Sequence, residues 1–140
     1  MRHWAARYVG MPWAADGFGP TRFHCWGLVW HVQREEFYRE VPKHAFVSAH
    51  DKLAVAREMT SAERGGDWLE LIVPLEGCVV GLSSHRAIHH VGVWTCSDGG
   101  LVLHSSEGKG VLAQSLSALR ANGYGRVNFY THRSWHTSSR

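Results

Sequence analysis

The strongest constraint on the fold is the passage from a loop rich in glycine and proline into a helical pattern that begins at a cysteine. Residues 10–24 are interrupted by Gly10, Pro12, Gly17, Gly19 and Pro20, which favour turns. Apolar residues then follow at helical spacing: Cys25, Leu28, Val29 and Val32. The pattern predicts an amphipathic helix over about 25–39, with Cys25 in its first turn and at the end of the core-facing stripe.

A cysteine at that position can act as a nucleophile. The N-terminus of a helix favours thiolate over thiol and can lower a cysteine pKa from about 8.5 to roughly 3.5–7.5. Taken alone, a cysteine on an apolar helix face is more often a small buried hydrophobe, and Cys78 and Cys96 in strand-like runs fit that interpretation. Cys25 differs because His90 opens one strand-like run and His104 closes the next. A nucleophile with two histidines, the second orienting the first, is a catalytic pattern.

Alternating and apolar runs predict an α+β fold in which N-terminal helices, including the nucleophile helix, pack on a central antiparallel sheet. Within the run from His90, alternation puts Gly92 and Trp94 on the face of His90, with Val91 and Val93 opposite. Asp98-Gly99-Gly100 predicts a hairpin turn to the His104 strand. The predicted strands are 69–73, 78–82, 90–96, 101–104 and 126–130, and the other predicted helices are 3–9, 49–63 and 115–122.

Composition indicates one domain, 1–140, with 134–140 either a flexible tail or a docking segment. The 140 residues, 44% of them hydrophobic, can bury roughly two thirds of their unfolded surface. Three cysteines cannot complete a disulfide framework, which suggests a reducing compartment. No apolar run resembles a signal core or a membrane span. The net charge of +3 is small and its basic residues are scattered, so we do not expect a nucleic-acid partner.

Three stretches carry a family resemblance: Phe23-His24-Cys25-Trp26-Gly27-Leu28-Val29, then His90-Val91-Gly92-Val93-Trp94, then Val102-Leu103-His104-Ser105. In this order they resemble the NlpC-type cell-wall cysteine peptidases, which are papain-related. Residues 8–13, 17–25 and 102–108 resemble the tail-tip branch of that family in bacteriophages.

The resemblance implies a papain-like fold with Cys25 as nucleophile, His90 as general base and His104 as the residue that holds the His90 ring. It implies a substrate groove or oxyanion site near Trp13, Tyr8, His24 and Trp26, with Trp13 where many members have tyrosine. The implied substrate is the stem peptide of peptidoglycan, cleaved between D-glutamate and the following diamino acid, with no cofactor. The resemblance also implies that the protein is located at a virion tail tip, where its partners are the tail hub proteins. It would be synthesised in the host cytoplasm without a signal peptide and would open the cell wall during genome delivery.

Two departures from the family pattern leave alternatives open. His24 and Cys78 stand where the family usually has aspartate. An acid before the cysteine can cap the helix, so its replacement favours the alternative of a structural tail-tip subunit without activity. A second alternative is a metal site formed by His85, His89 and His90 with Cys78 or Cys96, although the chain has no Cys-x-x-Cys pair.

Overall fold

The computed structural model describes residues 3–41, 56, 58–59, 66–84 and 88–136. Its helices are α1 (His3–Ala6), α2 (Cys25–Glu36) and α3 (Leu116–Ala121), with short 3₁₀ turns at Ser97–Gly99 and Arg133–His136. Its strands are β1 (Trp68–Leu71), β2 (Val79–Ser83), β3 (His90–Thr95), β4 (Leu101–Ser106), β5 (Gly110–Gln114) and β6 (Arg126–His132). They form one six-stranded antiparallel sheet in the order β1-β6-β2-β3-β4-β5. The predicted α+β fold, with the cysteine helix on a central antiparallel sheet, is confirmed.

The two faces of the sheet belong to different hydrophobic clusters. Val91 and Val93 of β3 share a cluster with Leu28, Val29 and other residues of α2. Trp94, from the same strand, lies in a second cluster with Leu119 of α3. The predicted alternation along β3 is therefore confirmed. Because both faces are covered, every residue of β3 is buried.

Helix α2 begins at the predicted residue but ends earlier than predicted. The pattern predicted a helix to about Arg39, whereas α2 ends at Glu36. Tyr38 has a φ of 56°, which is incompatible with helix continuation, and the backbone N–H of Arg39 turns back to the carbonyl of Gln33. The Arg39 side chain donates to Gln33 and to the carbonyl of Gly77, so a tertiary contact with the loop before β2 ends the helix.

The predicted strands are present with shifts at their ends, but one strand was missed. β5 has only a short apolar run, Val111-Leu112-Ala113, between glycines and polar residues. It forms because it pairs over its whole length with β4, from Val102↔Gln114 to Ser106↔Gly110. The helix predicted at 115–122 is confirmed as α3, whose first turn is capped by the Ser115 hydroxyl.

The chain termini differ from the prediction in extent. The helix predicted over 3–9 is the shorter α1, followed by a turn. Part of the predicted tail is ordered, because Trp135 packs edge-on against Trp68 and lies under the Arg39 guanidinium. The helix predicted over 49–63 falls mainly outside the described residues, of which 56, 58 and 59 are helical. Among the described residues, no helix is long and apolar enough to cross a membrane.

Candidate active site

Helix α2, which has Cys25 in its first turn, begins with a histidine cap. His24 has extended backbone geometry, and its Nδ1 accepts a hydrogen bond of 2.9 Å from the N–H of Gly27. An imidazole thus takes the capping role that an aspartate, serine or asparagine commonly has. His24 is 1% exposed, and burial lowers its pKa to about 4, a shift that Asp16 opposes. The neutral ring that the cap requires is therefore the stable form near neutral pH.

Close backbone packing fixes the position of this helix start. A Cβ at Gly27 would lie 1.8 Å from the carbonyl oxygen of Gly17, so no side chain fits there. The N–H of His24 donates to that same carbonyl oxygen, at 2.9 Å. On the other side, the Ser105 hydroxyl of β4 donates to the carbonyl of Phe23 at 2.7 Å. The loop before Cys25 is thereby held in place by a hydrogen bond within the loop and by one to the sheet.

Cys25 and His90 line the same open cleft. Each is 9% exposed, so each reaches the cleft surface while most of its side chain is covered. The rest of the lining consists of Trp13 from the loop before α2, His89, the β4 end at Ser105, Ser106 and Glu107, and Tyr124 from the segment between α3 and β6. The fold thus brings the expected nucleophile and base together, with Trp13 beside them.

His104 lies behind His90, as expected from the sequence. The Nε2 of His90 and the Nδ1 of His104 are 3.0 Å apart, and the two rings are nearly perpendicular. The Nε2 of His104 is in turn 2.7 Å from the Oε1 of Gln114. His104 is 1% exposed, and burial lowers the pKa of its imidazole, although the hydrogen bond with Gln114 acts in the opposite direction. The three side chains form a continuous hydrogen-bonded chain that ends at the cleft.

Tyr124 is an aromatic support for this chain. Its ring stacks on His90, with centroids 5.5 Å apart and planes within 11° of parallel, and meets His104 edge-on. The pKa of its hydroxyl is raised, by burial first and then by the proximity of Cys25. Tyr124 thus limits the rotation of the His90 ring while exposing part of itself to the cleft.

Three of the four residues expected at the groove lie elsewhere. Tyr8 is buried, and its hydroxyl donates to Glu36 near the other end of α2 at 2.6 Å. Trp26 is fully buried and packs edge-on against Trp68. His24 is buried as the helix cap. Successive residues of a helix point to different sides, so Trp26 does not share the direction of Cys25, and Tyr8 comes from a segment that packs near the other end of α2.

The alternative metal site does not form from the residues that the structure describes. No group of three histidine, cysteine or acidic side chains is placed to hold a metal in the described part of the chain. In the β2–β3 pairing, His90 is opposite Leu82, whereas Cys78 and Cys96 flank the other ends of these strands. At about 3.3 Å per residue, they are too far from His90 to share a metal ion with it. His85 lies outside the described residues.

Two residues of the site were not singled out from the sequence: Tyr124 of the cleft, and Gln114 behind His104. Both come from segments with no catalytic motif, and only the pairing of β4 with β5 and the return of the chain into β6 place them near the two histidines. The Asn122-Gly123-Tyr124-Gly125 turn is the one sequence signal that could have drawn attention to an aromatic residue at a tight connection.

Comparison with known proteins supports the fold. No protein-family model matches the sequence, and no curated protein matches it. Among solved structures, the chain is similar to the crystal structure of the NlpC/p60 domain of the peptidoglycan hydrolase SagA. The TM-score is 0.54 at 20% sequence identity, over 82% of this chain and 86% of that one. This chain therefore has the papain-like α+β fold of an NlpC/p60 domain.

Proposed function

We propose that this protein is a cysteine peptidase that hydrolyses peptidoglycan stem peptides. The observation that carries the proposal is the convergence of Cys25, at the first turn of α2, and His90 in one cleft, with His104 hydrogen-bonded to His90 from behind. A nucleophile, a base and an orienting residue in this order are the components of thiol-peptidase chemistry.

The mechanism follows from these positions. His90 accepts the thiol proton, and the resulting thiolate of Cys25 attacks the amide carbonyl carbon. The N-terminal end of α2 stabilises the negative charge that develops on the carbonyl oxygen. His90 then returns the proton to the leaving amine, which leaves an acyl-enzyme. A water molecule, deprotonated by His90, attacks the thioester and releases the acid product together with the restored thiol.

Three observations support the substrate. The structurally similar SagA domain comes from a peptidoglycan hydrolase. The sequence motifs resemble peptidases of the same type. The cleft is open, as a peptide-binding groove is, and it combines aromatic walls with the Glu107 carboxylate. We propose the bond between D-glutamate and the following diamino acid as the one cleaved.

Wall hydrolysis by matched cysteine variants tests this proposal. Purified peptidoglycan is incubated with wild type, Cys25→Ala and, as a control, Cys96→Ala, which removes an exposed thiol outside the cleft. We expect wild type and Cys96→Ala to release identical muropeptides, whose masses identify the bond, and Cys25→Ala to release none. A folded wild-type protein without hydrolysis would favour the structural, inactive alternative.

The tail-tip setting is a further part of the proposal, supported by the resemblance of residues 8–13, 17–25 and 102–108 to the phage branch. We propose that the peptidase is made in the host cytoplasm and carried by the virion, where tail hub proteins hold it until it opens the wall. Mass spectrometry of purified virions and of tails separated from heads would detect the chain with the tail. Its absence from virions that infect normally would contradict this setting.

A further inference from the structure

We infer that Gln114 is a positioning residue that sets the tautomers of both histidines, so that the Nδ1 of His90 is the atom that receives the thiol proton. The inference deepens the proposed function, on which the role of His90 as base depends. The hydrogen-bonded chain itself is independent of any substrate.

The side-chain amide of Gln114 decides which atoms donate and which accept along the hydrogen-bonded chain of side chains. The Oε1 of Gln114 can only accept a hydrogen bond, and it lies 2.7 Å from the Nε2 of His104. The Nε2 of His104 must therefore carry a proton. Because His104 is almost fully buried and its pKa is lowered by burial, its ring is neutral near pH 7, and the Nδ1 is left without a proton.

The same logic passes to His90. The unprotonated Nδ1 of His104 accepts a hydrogen bond, and its partner at 3.0 Å is the Nε2 of His90. That nitrogen must be the donor, so a neutral His90 has its lone pair on Nδ1. Reversing the amide of Gln114 would reverse every donor in the chain and place a proton on Nδ1 of His90, where a base is needed.

The sheet register explains why a glutamine performs this role. His104 is opposite Leu112, and Gln114 is opposite Val102, so Gln114 is the diagonal neighbour of His104 across β4 and β5. Diagonal partners have Cα atoms roughly 7–8 Å apart, a distance that a long side chain spans. An asparagine, shorter by one methylene, would not reach the ring at hydrogen-bond distance.

The arrangement also suits the charged intermediate. When His90 receives the thiol proton at Nδ1, its Nε2–H continues to donate to His104, and the Nε2–H of His104 continues to donate to Gln114. No hydrogen bond has to reverse during proton transfer, so the chain is already arranged for the imidazolium.

Three substitutions separate this role from packing. Gln114→Leu removes the side-chain oxygen that accepts from the Nε2 of His104, and Gln114→Asn places that oxygen too far away to accept. Both should lower kcat/KM by about 10- to 100-fold, a range typical of residues that orient a catalytic ligand. Gln33→Leu is the control, because Gln33 is a buried glutamine bonded to the carbonyl of Gly77 near the other end of α2. It should lower stability without changing the tautomers or the pH profile.

Gln114→Glu gives a signature of its own. A carboxylate retains the acceptor but favours a charged His104, whose Nδ1–H would then donate to His90 and force the proton onto the wrong nitrogen. The groups that face His104 include His90, Tyr124 and, at longer range, Lys109, whose charge disfavours the imidazolium. We expect Gln114→Glu to be least active at low pH and to recover as pH rises, whereas Gln114→Leu stays low throughout.

Ring nitrogen NMR of ¹⁵N-histidine-labelled protein tests the inference directly. Wild type should show protons on the Nε2 of both His90 and His104, and Gln114→Leu should show a mixture at His104. A wild-type His104 protonated at Nδ1, or unchanged tautomers in Gln114→Leu, would overturn the inference even if the wall is hydrolysed. The expected tautomers in a protein that hydrolyses no wall would support the hydrogen-bonded chain and refute the proposed function.

Discussion

The histidine cap of α2 should make this protein lose stability in mild acid. The Nδ1 of His24 accepts the N–H of Gly27, so protonation of Nδ1 removes the cap and places a charge in a site that is 1% exposed. The Nε2 has no hydrogen-bond partner among the described residues, so the charged ring gains little in return. The pKa of His24 is lowered to about 4 from an ordinary value of 6.5.

The sign and size of the effect follow from this shift. The unfolded chain takes up a proton at His24 below about pH 6.5, whereas the folded protein resists until about pH 4. The contribution of the neutral His24 cap to the free energy of unfolding is therefore complete above pH 6.5 and is lost progressively as pH falls toward 4. The full loss of stability is about 3 kcal/mol, and most of it occurs between pH 7.5 and pH 4.5.

Urea unfolding of wild type and His24→Asn at these two pH values isolates this contribution. Asparagine caps helices well and does not titrate, so His24→Asn should lack most of this loss of about 3 kcal/mol between pH 7.5 and 4.5. Other histidines whose pKa is lowered by partial burial, such as His31 and His132, contribute equally to both proteins and cancel in the difference. Equal pH dependence in wild type and His24→Asn would refute the reasoning.

Two further predictions concern the nucleophile and its helix. Iodoacetamide at pH 6 should modify Cys25 well before Cys78, because Cys78 is 2% exposed and burial raises its pKa to about 11. Peptide mass spectrometry of a time course gives both modification rates, and equal rates would argue against an activated thiol at Cys25. Gly27→Ala should lower the free energy of unfolding by more than about 3 kcal/mol in urea unfolding, because its Cβ would lie 1.8 Å from a backbone oxygen. The control is Gly125→Ala, which should lower it by under about 1 kcal/mol because no atom lies within 4 Å of the added Cβ. A tolerated Gly27→Ala would mean that the preceding loop can move away from α2.

Much of the fold was accessible from local patterns. The glycine-rich loop, the helical spacing from Cys25 and the alternation from His90 to Trp94 predicted the right elements and the right faces, because side-chain periodicity depends only on backbone geometry. Strand β5 was missed because its pattern is too short to identify alone, and it forms through its partner β4. The end of α2 was placed too late because a tertiary contact of Arg39 sets it.

The sequence by itself determined which residues are candidates for the chemistry: a cysteine at a helix start, two histidines in neighbouring strands, and a hairpin that returns one strand beside the other. The tertiary structure decided what surrounds them. β6 inserts between β1 and β2, an order that no strand pattern records, because strands encode which face is apolar but not which neighbour they pair with. That pairing and the β4–β5 register bring Tyr124 and Gln114 to the histidines, while Trp26, next to Cys25 in sequence, and Tyr8 are buried in the core.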